Sequence, residues 1–309
     1  MKIWSKNIVN IRGNIFCAAA VVLFALGFPA AEHLLQTWGV FSLTALRNLL
    51  ALLTMLFLML LLERNVNFIK LPWFQGFWIG GIGFGFGSLL LVVAQAMTDA
   101  TTAALAAATM PIFAVGLEVF FDGRRLSSHF LIAVTLVLFG GVLAAGISLG
   151  DSSINGGFAI GLLASGLFAW GSRKTVKSFP KLSPLSRSTI TTLGMFGFSV
   201  VIYLLTMPFE SPSSVVGSLN IPNISLLIIY ACLSLSISQI FWIKGVNDVG
   251  VGIASFHLNA APFYVMIFVF LLGSDWNWIK TLGVGILTIG TILAQRSEKP
   301  ADRPATNQA

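Results

Sequence analysis

The polar side chains of this chain are few enough to take one at a time. The densest group is Ser234, Ser236, Ser238, Gln239 and Trp242, all within one apolar run, with His257 and Asn259 in the next. Gln239 and Trp242 are three residues apart and would share one face of a helix. Hydroxyls, a carboxamide and an indole N–H placed this way can bind the polar groups of a small solute, or they can tie helices together; neither role requires covalent chemistry. Catalytic signatures are thin. The chain has only three histidines, His33, His129 and His257, with no HExxH and no spaced set of metal ligands, so neither a metal nor a cofactor is expected. Cys17 and Cys232 both fall inside apolar runs and read as small core residues rather than as a disulfide or metal pair. Gly76, Gly80, Gly81, Gly83, Gly85 and Gly87 include small-xxx-small pairs but neither GxGxxG nor an adjoining strand. They therefore favour close helix approach, or a bendable cavity wall exposing carbonyls near Ser88, over a phosphate loop.

Membrane-spanning helices must carry these residues. Of 309 residues, 56% are hydrophobic and 9% charged, with a mean hydropathy of +0.90, too apolar for a water-soluble domain. A bilayer core needs about 20 apolar residues per helix, and such runs follow one another with short polar breaks. Stretches such as residues 40–62 and 225–243 lack the alternation of a transmembrane barrel, so the fold class is an all-α integral membrane protein. The net charge of +7 does not imply a nucleic-acid partner, because no water-exposed domain is present to carry a basic patch.

Punctuation by Pro, Gly and charge predicts ten helices near residues 13–31, 38–62, 72–95, 99–121, 129–149, 156–171, 187–207, 224–245, 250–272 and 276–295. With the N-terminus inside, all of the 18 Lys and Arg residues except Arg47 and Lys280 fall at cytoplasmic ends, and both termini are cytoplasmic. Arg47 is expected to snorkel to the outer interface, and Glu118 to pair with Arg124 or Arg125.

The chain repeats itself. Leu23-Phe24-Ala25-Leu26-Gly27 recurs 144 residues later as Leu167-Phe168-Ala169-Trp170-Gly171. Thr98-Asp99 parallels Asn247-Asp248, and Ala103 with Met110-Pro111-Ile112-Phe113 parallels Ala254 with Ala261-Pro262-Phe263-Tyr264. Two five-helix repeats must enter the membrane in opposite senses, which suits alternating access. The expected division is an N-terminal cytoplasmic segment (1–12), a first repeat (13–149), a second, inverted repeat (150–296) and a disordered cytoplasmic tail (297–309).

The small residues leading to a mid-helix proline, Ala103 to Pro111 and again Ala254 to Pro262, resemble the drug/metabolite transporter superfamily, in its ten-helix form with two EamA-like domains. The resemblance runs from about Gly13 to Gln295 and is nearest overall to the bacterial aromatic amino acid exporters. Gly123-Arg124 and Gly273-Ser274 stand where members often have Gly-Glu. Small four-helix relatives couple efflux to protons through a first-helix glutamate, and residues 13–31 contain none. The resemblance implies a multi-pass protein of the bacterial inner membrane that exports a small metabolite through a central cavity and requires no oligomer. By position it adds Trp78, Ser88, Thr109, Met110, Ser165 and Trp170 to Ser238, Gln239, Trp242, His257 and Asn259 as candidate cavity residues. Sparse internal charge favours a neutral or zwitterionic solute such as an aromatic amino acid; the alternatives are a purine, nucleoside or amphiphilic drug exporter and, outside carriers, an intramembrane enzyme.

Overall fold

A computed structural model describes residues 2–64, 66–123, 128–144 and 152–296. Ten long helices account for most of them: α1 (Lys2–Leu34), α2 (Val40–Leu62), α3 (Trp73–Met97), α4 (Ala100–Asp122), α5 (Ser128–Ala144), α6 (Ser152–Ser178), α7 (Pro184–Thr206), α8 (Ile221–Val249), α9 (Val251–Leu271) and α10 (Trp278–Arg296). No strand occurs among the described residues. Among the described residues seven helices, α1 to α4 and α7 to α9, are long and apolar enough to cross a bilayer, while α5 and α10 carry shorter apolar stretches. Leu53, Phe57 and Leu60 form an exposed apolar stripe on α2, one of several such faces suited to lipid.

Helix ends depart from expectation where polar residues continue a turn. α1 begins at Lys2, ahead of the expected start at residue 13, and runs far enough to include Glu32. α6 likewise continues to Ser178, where Arg173 and Lys177 both reach Asp122 at 2.8 Å. The expected repeat boundary at 149/150 and the tail at 297–309 lie outside the described residues.

The two halves pack as an inverted pair. α1 lies along α8 and α6 along α3, while α2 meets α7, α4 meets α9 and α5 meets α10, so each contact has its counterpart under exchange of the halves. Ion pairs report the inversion. Arg12, early in α1, binds Asp248 at 3.2 Å, and Glu118 near the end of α4 lies against Gly252 at the start of α9. The same end of the bundle therefore collects the start of the first helix and, through Asp122, the end of the sixth.

Four of these helices are irregular, again in corresponding pairs. α3 passes through π-helix at Gly80–Phe86 and α8 at Ile229–Ile237. α4 breaks after Ala107 and resumes at Met110; α9 tightens to 3-10 helix at His257–Ala260 and resumes at Ala261. Pro111 and Pro262 sit just inside the resumed helices, where a missing N–H interrupts the ladder behind them. At the break the carbonyl of Ala106 accepts from the Thr109 N–H at 3.1 Å and from the hydroxyls of Thr109 at 2.6 Å and Ser165 at 2.7 Å.

The glycines of α3 are contact surfaces. A Cβ at Gly80 would overlap the carbonyl of Thr191 on α7, and one at Gly83 would stand 2.6 Å from the Cα of Gly171 on α6. Gly80→Ala is therefore expected to cost about 1–3 kcal/mol through forced separation of α3 from α7. Gly116→Ala, which meets nothing within 4 Å, should stay within about 0.5 kcal/mol of the native protein. Thermal unfolding of both variants in detergent measures the difference.

Candidate functional site

A cavity of about 100 Å³ lies at the centre of the bundle. Eight helices supply its walls, and α5 and α10 contribute none of the lining residues. The apolar lining includes Phe24 of α1, Phe84 of α3, Met110 of α4, Phe168 of α6, Met195 of α7 and Trp242 of α8. The repeated Leu-Phe-Ala segments thus place Phe24 and Phe168 on the same cavity from opposite halves. An apolar cavity of about 150 Å³ holds benzene, so an aromatic solute requires these walls to move. Methionines, with three rotatable bonds, suit that movement.

The polar lining is mostly occupied with the backbone. Ser88 donates to the Gly85 carbonyl at 3.0 Å, Ser234 to that of Phe24 at 3.0 Å and Ser238 to that of Ala20 at 2.9 Å. Trp242 Nε1 donates to Ser172 Oγ at 3.0 Å, joining α8 to α6, and Gln239 Nε2 reaches Thr191 Oγ1 at 3.4 Å.

Arg47 corrects the expectation of a snorkelling side chain. It is only 6% exposed and lines the cavity. Its guanidinium donates through Nε and one terminal nitrogen to Asn48 Oδ1 at 3.1 and 3.0 Å, and through the other to the Tyr230 hydroxyl at 2.8 Å. The Tyr230 ring lies 4.8 Å beneath the cation. Asn48 is itself held by Ser199 Oγ at 3.2 Å and the Met195 carbonyl at 3.3 Å. The inward pull of these partners on α7 and α8 outweighs the outward pull of the interface. The chamber consequently carries a positive charge, and among the described residues no acidic side chain lines it.

Of the residues singled out from the sequence, Ser88, Met110, Ser238, Gln239 and Trp242 come together on this cavity. Thr109 and Ser165 sit behind it on the Ala106 carbonyl. Trp170 packs among Ile79, Phe179 and their neighbours, and Trp78 is 53% exposed beside Phe74 and Phe77. His257 and Asn259 line a different cavity between α1, α9 and α10, where His257 Nε2 lies 2.8 Å from Asn14 Oδ1. Glu118 keeps to its place against Gly252; Arg124 and Arg125, its expected partners, lie outside the described residues. Cys17 and Cys232 are free thiols, the first buried against Gly245. Gly146-Ile147-Ser148-Leu149-Gly150 has the spelling of a nucleophile elbow but follows helix α5, where that motif needs a strand, and also lies outside the described residues. Among the described residues no group of His, Cys, Asp and Glu could hold a metal ion.

Residues 11–146 match the EamA-like transporter family. The EamA-like segment spans α1 to α5 and holds Arg47, Ser88 and Met110. A crystal structure of a protein 17% identical to this chain superposes on it with a TM-score of 0.69, covering 92% of this chain and 97% of the other. That likeness extends the shared fold well beyond the EamA-like segment, over the second five helices as well. No curated protein sequence matches the chain.

A second cavity, at the end of the bundle bearing Asp99, is lined by Glu32, Asp99, Asp275 and Lys280 among others. Asp99 caps α4 through the Thr102 N–H at 2.9 Å and binds Lys280 Nζ of α10 at 2.7 Å. Burial pushes the Asp99 carboxyl up, but the Lys280 ammonium and the hydrogen bonds from Lys280 and Thr102 more than offset it and hold it below the usual carboxylate value. A depressed folded-state pKa adds stability that is present above the unfolded value, about 3.9, and is lost as pH falls through the folded value. Asp99→Asn should therefore lower the unfolding temperature at pH 7, and the gap from the native protein should close on acidification below pH of about 4. Parallel melting curves across pH check this; a gap independent of pH would contradict it.

Proposed function

We propose that the protein is a secondary carrier of the drug/metabolite transporter type that exports small neutral or zwitterionic metabolites, aromatic and other neutral amino acids foremost. The observation that carries this reading is the central cavity, walled by Phe24, Phe84, Phe168 and Trp242 and shared between two inverted sets of five helices. The EamA-like match of its first half supports the same reading. Its proposed setting is the bacterial inner membrane with both termini cytoplasmic, residues 13–149 and 150–296 acting as the two repeats.

Transport in this scheme is alternating access around one site. The π-helical turns of α3 and α8 and the breaks of α4 and α9 are the segments where the ladder is already interrupted, so bending there costs few further hydrogen bonds. The four segments lie in corresponding positions of the halves, so one bend can mirror the other. Aromatic walls take up an apolar side chain, and the serine hydroxyls and Gln239 face its polar end.

Counterflow into liposomes holding the purified protein tests the reading, with radiolabelled Phe, Trp, Met, Lys and adenosine, each with and without a proton gradient. Saturable exchange of intact Phe, Trp and Met is expected, with little Lys. Trp242→Ala should raise the KM for Phe about tenfold, a loss of about 1.4 kcal/mol. Exchange of adenosine in place of amino acids would favour the nucleoside alternative, and conversion of a solute would favour an enzyme.

A further inference from the structure

We infer that Arg47, held by Asn48 and Tyr230, is a carboxylate-binding subsite, so that the solutes are monocarboxylates with an aromatic or apolar body whose ammonium group is dispensable. The inference rests on the carrier reading and replaces its limit on net charge, neutral or zwitterionic, by one chemical requirement, a carboxylate.

Arg47 is the eighth residue of the 23-residue helix α2, about 10 Å along its axis from the nearer end. A cation at that depth in lipid is costly unless it is paired or reaches water. Its partners in the protein are all neutral: a carboxamide oxygen, a phenol and an aromatic face. The ion pairs among the described residues involve Asp99, Asp122 and Asp248, and none reaches Arg47. A guanidinium has five N–H donors. Three are engaged, which leaves one on each terminal nitrogen, on a side chain that lines the cavity.

Those two donors and the fixed positive charge match a carboxylate in geometry and in sign. Asn48 occupies the Nε edge and is anchored from α7, so the guanidinium is oriented before any solute arrives. Among the described residues no acidic side chain lines the cavity to receive an ammonium group. A solute ammonium would meet only hydroxyl and amide oxygens, and it would stand in the same small chamber as Arg47. The cavity therefore distinguishes the two ends of an amino acid: it reads the carboxylate and merely tolerates the amine.

The experiment is competition against radiolabelled Phe counterflow in liposomes holding the full chain, using 3-phenylpropionate, which lacks the amine, and phenethylamine, which lacks the carboxylate. 3-Phenylpropionate is expected to compete about as well as Phe, and phenethylamine at least about tenfold worse. Arg47→Gln should abolish this preference, while Arg47→Lys keeps its sign with weaker affinity. Phenethylamine competing as well as Phe overturns the inference on the native protein alone, whether or not the variants fold. An Arg47→Gln protein that is folded and shows unchanged KM for Phe overturns it as well. If no solute exchanges at all, the carrier reading falls separately. Calorimetric binding of 3-phenylpropionate to the solubilised protein, lost in Arg47→Gln, then upholds the subsite, and its absence removes it.

Discussion

Lipid offers no hydrogen bonds, so every backbone N–H and C=O at membrane depth must find its partner inside the protein. That constraint accounts for the ten long helices, and it makes their four interruptions costly enough to need compensation. On each irregular helix a hydroxyl donates to a backbone carbonyl. Ser88 donates to Gly85 beyond the π turn of α3, and Thr109 and Ser165 both serve Ala106 at the break of α4. In the second half Ser236 donates to Ala231 at 3.0 Å and Ser255 to Gly252 at 2.8 Å. Much of the polar content of this apolar chain is thus committed to the backbone, and what remains stands out. Arg47, Gln239 and Trp242 bring nitrogen donors to the central cavity.

The same pattern explains why the irregular helices can sit side by side. Gly80 and Gly83 bring α3 against α7 and α6 without side chains between the backbones, and Gly245 does the same for α8 against Cys17 of α1. Close approach fixes the irregular stretches next to the cavity instead of leaving them to lipid. Ion pairs complete the ends: Asp99 with Lys280 at one, Asp248 with Arg12 at the other. These two aspartates are equivalent in the repeat, and inversion sends them to opposite surfaces. Asp99 ties the start of α4 to α10, and Asp248 ties the last turn of α8 to α1, each at an end where a cavity would have to open.

Much of this could be read from the residues. The repeated Leu-Phe-Ala segments announced the inverted pairing, whereas the breaks near Pro111 and Pro262 fall inside stretches expected to be continuous helix: a proline alone does not decide, since Pro29 sits within the unbroken α1. Gln239 and Trp242 reached the cavity together because helical spacing alone puts them on one face. Arg47 was legible as an anomaly but not in its direction: an arginine eight residues into a helix can turn outward or inward, and the choice is made by Tyr230, 183 positions away. Trp78 and Trp170 failed to join the cavity for a related reason. A tryptophan on a span between neighbours can face either of them or lipid, and the rotation of α3 and α6 is set by the glycine contacts at Gly80, Gly83 and Gly171. Helix ends were missed where polar side chains found ionic partners that exist only after folding, as at Arg173 and Lys177.

The proposed transport cycle requires one chamber that opens in turn to the two faces of the membrane. Replacing Cys17 and Cys232 and placing a single thiol by Ser238→Cys puts a reporter on its wall. In sealed vesicles of known orientation, that thiol should react with a membrane-impermeant maleimide applied from either side, and saturating phenylalanine should slow both reactions. Labelling from one side alone, or equal labelling with and without the amino acid, would contradict it.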